Sequence, residues 1–339
     1  MTLQIPSPTL DRMSGKTTDS YPDIGIVIIG RNEGERLRRC FHSIKTASAV
    51  IYVDSGSTDR SVDLAREFGV MTLKLNPDEP FTASRARSEG AAAILDTFPK
   101  LRFLQFVDGD CVLEAGWLEI AREALLKDER LAAVCGRRKE LHPDDSFYNR
   151  LFDDEWDTPV GLATATGGDA LFRVEAYRAV EGFEPSLSAG EEPELAYRLR
   201  AQGWLIERLA APMTSHDADM HRFSQWWSRA KRSGYGYFQA FRATKNGTSA
   251  PLYRGELVRA FSWTFGPPLL SIALALVFGE IWLLTAIALW TLQFIRTAFK
   301  LGVRKAGLFL LAKFAESYGA LLAMRDAFKK AKSSAITYK

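Results

Sequence analysis

Three times within the first 110 residues, a short, largely apolar run breaks off at a polar, acidic cluster. No other feature restricts the chain as much. Residues 24–30 end at Arg31-Asn32-Glu33-Gly34, residues 49–53 at Asp54-Ser55-Gly56-Ser57-Thr58-Asp59, and residues 101–107 at Asp108-Gly109-Asp110. Residues 24–30, short, β-branched and continuously apolar, suit a strand buried on both faces of a parallel sheet, and strands are read at 49–53 and 101–107 as well. A further strand is expected at 71–75. Helices are expected at about 35–46, across Val62, Leu64, Ala65 and Phe68, and at 83–95. Ser57 or Thr58 is expected to cap the second of these helices. Strands alternating with helices imply a doubly wound α/β sheet. Such sheets bind ligands outside the carboxyl ends of their strands, where all three polar clusters fall.

The last third differs. Residues 260–279 carry no charge, Glu280 interrupts, and residues 281–295 are again uncharged. A membrane span needs about 20 apolar residues. Pro267-Pro268 argues against one long helix. The flanks Arg254, Arg259, Arg296, Lys300, Arg304 and Lys305 are basic at both ends, which favours a hairpin over 259–300 with both ends cytoplasmic. Residues 222–258 come first, mixing Trp226, Trp227, Tyr235, Tyr237, Phe238 and Phe241 with Arg229, Lys231, Arg232 and Arg242. That mixture suits an amphipathic helix at a membrane interface. A helical tail is expected over 301–339.

Residues 1–22 are polar and lack the apolar core of a signal peptide. They read as a flexible tail ahead of a cytoplasmic domain at 23–221. Net charge is +3, small for this length, which gives no general case for nucleic acid as a partner, although the basic residues crowd towards the C-terminal third. Cys40, Cys111 and Cys135 show no zinc spacing and read as buried apolar groups.

Asp108-Gly109-Asp110 puts two carboxylates around a glycine turn at a strand end. Mg²⁺ and Mn²⁺ favour such oxygen ligands and leave room for substrate phosphates. Asp54, leaving a buried strand, can accept from a base or a ribose hydroxyl. Arg87 near a helix start can grip phosphate or can be an exposed helix charge. Glu191, Glu192 and Glu194 crowd a helix start. One of them, buried beside substrate, would have its pKa raised towards a base's working range. His216 or His221, two of the four histidines, could complete a metal site.

Taken in order, these segments resemble the family 2 glycosyltransferases of the GT-A fold. The resemblance runs from about Asp23 to His221. It also uses Ala86-Arg87-Ser88-Glu89-Gly90, Gly168-Asp169-Ala170-Leu171-Phe172-Arg173, Glu181-Gly182-Phe183 and the stretch from Gly190 to Arg200. The resemblance implies a nucleotide-sugar donor held by Glu33, Asp54, Arg87, Asp108 and Asp169. It implies Mn²⁺ or Mg²⁺ on Asp110, with His216 as a further ligand. The second member of the acidic pair, usually Asp in the family, is Glu192 and would be the catalytic base; Glu191 remains a rival. Ser55 and Ser88 depart from the family pattern, where Asp and Asn are common. Gln239-Ala240-Phe241-Arg242-Ala243 lacks the tryptophan of processive members, which implies addition of single sugars.

The expected protein is an inner-membrane glycosyltransferase with its catalytic domain on the cytoplasmic face. It would act by inversion on a glycan or lipid-linked acceptor in envelope or exopolysaccharide synthesis. A nucleotidyltransferase, or an inactive sugar-binding scaffold subunit, are the alternatives.

Overall fold

The computed structural model describes residues 2–4, 21–44 and 49–329, and separates into one compact unit up to His221 and another from Arg222. The expected tail lies largely outside the described residues. Those of it that are described include a short edge strand.

The strands of the first unit are β1 (Thr2–Gln4), β2 (Ile24–Gly30), β3 (Ala49–Asp54), β4 (Met71–Lys74), β5 (Phe103–Asp108), β6 (Cys111–Leu113), β7 (Leu131–Glu140), β8 (Gly161–Leu162), β9 (Ala170–Arg173) and β10 (Leu205–His216). They form one mixed sheet in the order β1-β4-β3-β2-β5-β9-β7-β10-β6, with β8 paired to β10. The block from β4 to β5 is parallel, as the apolar runs require, and Ile24, Ile26, Val27 and Ile28 of β2 are fully buried. Each such side chain contributes about 1.5–3 kcal/mol by leaving water.

β9 runs antiparallel to both β5 and β7, and β10 runs parallel to β7. The carboxyl ends of β2, β3, β5, β7 and β10 therefore share one sheet edge with the amino end of β9. That edge is where Glu33, Asp54, Asp108, Glu140, His216 and Asp169 arrive, from distant parts of the sequence.

The helices of this unit are α1 (Glu35–Ser43), α2 (Ser61–Glu67), α3 (Ala83–Thr97), α4 (Trp117–Lys127), α5 (Phe147–Trp156), α6 (Val174–Ala179) and α7 (Glu191–Ala201). Gly90 sets the depth of α3. A Cβ there would come 2.6 Å from both Val27 Cγ1 and Val53 Cγ2, so only glycine lets the helix lie this close to the sheet. α2 corrects one expectation. Its N-cap is Arg60 with no side-chain cap bond. Ser57 Oγ instead accepts from Asn32 N at 2.9 Å, and Asn32 Oδ1 accepts from Thr58 N at 2.8 Å. The two loops leaving β2 and β3 are latched together, and that latch outcompetes local capping.

The second unit comprises α8 (Phe223–Thr244), α9 (Arg254–Phe278), α10 (Thr285–Leu301) and α11 (Val303–Lys329). Three helical stretches, Arg254–Phe278, Glu280–Leu301 and Val303–Phe328, are long and apolar enough to cross a membrane. α9 passes through Pro267-Pro268 and ends at Gly279, whose φ of 99° suits glycine. A 3₁₀ turn over Glu280–Leu284 leads to α10. Leu276, Val277, Phe278 and Phe299 are exposed, as lipid-facing side chains would be. The sequence places only a tail after residue 301, whereas α11 is a third long apolar helix. α8 packs one face on α11 at two glycines. A Cβ on Gly234 would overlap the Glu316 carbonyl, and one on Gly319 the Lys231 carbonyl.

Candidate functional site

The loop after β3 turns on Gly56, at φ 78°. Asp54 is buried there. Its carboxylate accepts from the backbone N–H of Gly56 at 3.2 Å and Ser57 at 3.1 Å, and from the Tyr52 hydroxyl at 3.2 Å. Glu33 is buried beside Gly109 and pairs with Arg36 at 3.4 Å. Both acids stand at the carboxyl ends of neighbouring parallel strands, β2 and β3, and β5 delivers Asp108 to the same edge.

Arg87, on the first turns of α3, is the hub. Its Nη2 lies 2.7 Å from Asp108 Oδ1, and its Nη1 lies 2.8 Å from Glu191 Oε1 and 3.5 Å from Glu192 Oε1. Burial alone would lower the pKa of Arg87, but Asp108, Glu192 and Glu191 outweigh it and hold the guanidinium firmly charged. Phe183 lies under the cation at 5.6 Å. Arg87 is thus no exposed helix charge.

Asp108 faces a second cation. Arg138 Nη1, from β7, is 3.4 Å from Asp108 Oδ2 and 3.2 Å from Asp169 Oδ2. Burial pushes the Asp108 carboxyl up, and Arg87 and Arg138 together bring it below the usual range. Arg138 also stacks on Trp156, 4.9 Å from its ring centre. Asp169 is fully enclosed. It accepts from Asp108 N at 3.0 Å and Thr214 Oγ1 at 2.7 Å. Hydrogen-bonded beneath Asp108 in this way, it positions that residue.

The three glutamates at the start of α7 separate by environment. Glu194 is bound by Arg198 at 2.7 Å, which in turn donates to the carbonyl of Gly182 at 2.7 Å. Glu191 is 4% exposed and committed to Arg87. Glu192 is 20% exposed. Burial, then the neighbouring Glu191, push its carboxyl up to about 7 against the pull of Arg87. A Cβ at Gly168 would meet Arg87 Nη2 at 2.7 Å, Asp108 Oδ2 at 3.0 Å and Glu192 Oε1 at 3.5 Å. The space left by that missing side chain is where the three groups converge.

At the other side of Asp108, Asp110 Oδ1 lies 3.6 Å from His216 Nε2. The ligand atoms of Asp110, Cys111 and His216 fall within 4.8 Å of one another, as do those of Asp108, Cys111 and Asp169. Burial raises the Cys111 thiol, which leaves carboxylate and imidazole as the donors. That set suits Mn²⁺ or Mg²⁺ with water and phosphate oxygens completing the shell. His221, the other candidate histidine, is exposed and pairs with Asp219 at 3.2 Å. All three cysteines are buried and free.

Sequence reasoning missed Arg138, Glu140 and Trp156. The same signal was available for the first two: residues 131–136 are an apolar run that breaks at Arg137-Arg138-Lys139-Glu140.

Residues 25–179 match the family model described as Glycosyl transferase family 2. This chain carries a family 2 glycosyltransferase domain. Among curated proteins, this chain is 25% identical over 245 residues to the pre-mycofactocin glycosyltransferase of Mycobacterium tuberculosis, covering 69% of this chain and 48% of that one. It is 26% identical over 251 residues to a TPR repeat-containing protein of Synechococcus elongatus, covering 62% and 57%. The chain thus spans about half the length of these relatives. It is also 23% identical to the O-antigen chain rhamnosyltransferase WbaN of Salmonella anatum, covering 58% and 66%. Among solved structures, the mannosyltransferase PcManGT of Pyrobaculum calidifontis, solved with GDP-Man and Mn²⁺, superposes with a TM-score of 0.59 at 18% identity. The match covers 90% of this chain and 87% of that one, and shows a shared fold.

Proposed function

We propose that this glycosyltransferase moves a single sugar, with inversion, from a nucleotide-sugar donor to a polysaccharide or lipid-linked acceptor. It does so with Mn²⁺ or Mg²⁺, at the cytoplasmic face of the inner membrane, in envelope or exopolysaccharide synthesis. One observation carries the reading. Arg87, Asp108 and Glu192 converge on the space at Gly168, putting an anion-gripping cation, a hydroxyl acceptor and a titratable base around one small volume.

In this reading Asp54 and Glu33 hold the nucleoside base, Asp108 the ribose, and Arg87 the diphosphate. Asp169 and Arg138 fix Asp108. Asp110 and His216 hold the divalent cation, which when bound neutralises charge on the leaving diphosphate. Glu192 takes the proton of the acceptor hydroxyl. The acceptor oxygen bonds to the anomeric carbon as the bond from that carbon to the diphosphate oxygen breaks, and nucleoside diphosphate leaves. Glu191 is tied to Arg87, so one carboxylate is left to act. That suits a general base in a single displacement rather than an acid and nucleophile pair. The three long apolar helices support a bilayer setting, and a relative named for O-antigen chains supports an envelope acceptor.

The test is a panel of nucleotide sugars offered to detergent-purified protein with membrane lipid extract or oligosaccharide acceptors. Acceptor-dependent release of nucleoside diphosphate from one donor supports the reading. Release of sugar 1-phosphate, with the nucleotidyl group transferred to the acceptor, would point to a nucleotidyltransferase. Donor binding without turnover would point to a scaffold.

A further inference from the structure

We infer that Glu140 is a positioning residue that fixes the tautomer of His216 and so aims its Nε2 lone pair at the cation site. The inference rests on the reading of Asp110 and His216 as metal ligands. The parallel register of β7 and β10 pairs Glu140 with His216 directly. The Glu140 side chain is completely enclosed, and its Oε2 lies 3.5 Å from His216 Nδ1. Its remaining capacity is spent on backbone: Oε1 accepts from His142 N at 3.2 Å, and Oε2 from Ala218 N at 3.2 Å. Trp156 closes the ring's flank, edge-on at 4.9 Å.

Two carboxylates face the ring, Glu140 at Nδ1 and Asp110 at Nε2, where Oδ1 is 3.6 Å away. Glu140 is enclosed and only accepts, whereas Asp110 would be engaged by the cation when one binds, so the proton of the neutral ring then belongs on Nδ1. A metal-bound histidine whose other nitrogen donates to a buried carboxylate is held in tautomer and orientation, and loss of that partner weakens metal binding. The apolar run before it marks Glu140 as a strand-end residue, and the pairing of β7 with β10 brings it to His216.

Glu140→Gln is the informative variant, because it keeps the shape and changes the polarity. Its single amide oxygen is needed by the two backbone N–H groups, so the NH₂ turns to His216 Nδ1. The ring proton then moves to Nε2, the nitrogen the cation needs. The experiment uses the full chain in detergent at pH 8. It reads the ring tautomer by ¹⁵N imidazole shifts with saturating Mg²⁺, with His216→Gln used for assignment, and Mn²⁺ affinity by the free-ion electron paramagnetic resonance signal.

Expected are an Nδ1–H ring in the wild type, an Nε2–H ring in Glu140→Gln, and Mn²⁺ binding weaker by about 10–100-fold in that variant. A wild-type ring protonated at Nε2 overturns the inference without any variant. So does Glu140→Gln with wild-type Mn²⁺ affinity while His216→Gln loses it; that result leaves His216 standing as a ligand. Wild-type Mn²⁺ affinity in His216→Gln overturns the ligand reading itself.

Discussion

Arg87 Nη1 is 2.8 Å from Glu191 Oε1 and sits in a nearly closed pocket with it, while the adjacent Glu192 is 3.5 Å away and five times more exposed at its side chain, 20% against 4%. Two neighbouring glutamates on one helical turn thus have different environments. One anchors the cation and the other is left to titrate. Glu192→Gln should lower kcat by about 10²–10⁴-fold, the usual worth of a positioned general base, with donor affinity retained. Glu191→Gln should instead weaken donor binding, because Arg87 loses its anchor. Steady-state turnover beside calorimetric donor titration separates the two.

The raised carboxyl of Glu192, about 7, fixes a pH dependence. A base must be deprotonated, so kcat/KM should climb as pH rises through about 7 and level above it. Stability runs in the opposite sense. The folded state disfavours the charged form, which costs nothing below the unfolded value of 4.5, grows between 4.5 and about 7, and is complete above that. Glu192→Gln should therefore raise the melting temperature at pH 8 and leave it nearly unchanged near pH 4.5. Paired melts at the two pH values check this.

Arg138 is the cation between Asp108 and Asp169. Arg138→Met keeps apolar contact with Trp156, leaves Asp169 without a cation and leaves Asp108 with Arg87 alone. Removing one partner of a buried ion pair costs about 3–5 kcal/mol. A fall of that size in denaturation free energy, together with lost donor binding, is the expected outcome.

Gly90 sets how deep Arg87 sits. Gly90→Val forces added carbon against Val27 and Val53, an overpacking that costs about 1–3 kcal/mol. The displaced α3 should carry Arg87 off Asp108 and Glu191, so donor affinity should fall even where the protein remains folded. Melting curves and donor titrations on the same sample decide it.

What could be read from sequence, and what could not, follows from distance along the chain. Asp54, Asp108 and Asp110 are legible because the strand that delivers each one directly precedes it. The Glu191–Glu192 pair is legible as a helix start. Arg138 and Glu140 sit at the end of an equally apolar run, but their partners lie 30 or more residues away and only strand order reveals them. Ser57 and Thr58 have sound local capping chemistry, and a loop 25 or 26 residues upstream takes them instead. Asp169 reads as a ligand contact, yet the antiparallel β9 tucks it under Asp108. Residues 301–339 read as a helical tail. In the fold Lys313 and Glu316 pair at 2.7 Å within α11, which is long and apolar enough to cross a membrane.

The most direct test of the central claim is donor cleavage by detergent-purified protein with Mn²⁺, with Mg²⁺ and with chelator, beside Asp110→Asn. The account predicts nucleoside diphosphate release from one nucleotide sugar with metal, abolished by chelator, restored by adding Mn²⁺ back, and lost in Asp110→Asn. Equal release in chelator, or undiminished release from Asp110→Asn, would contradict it.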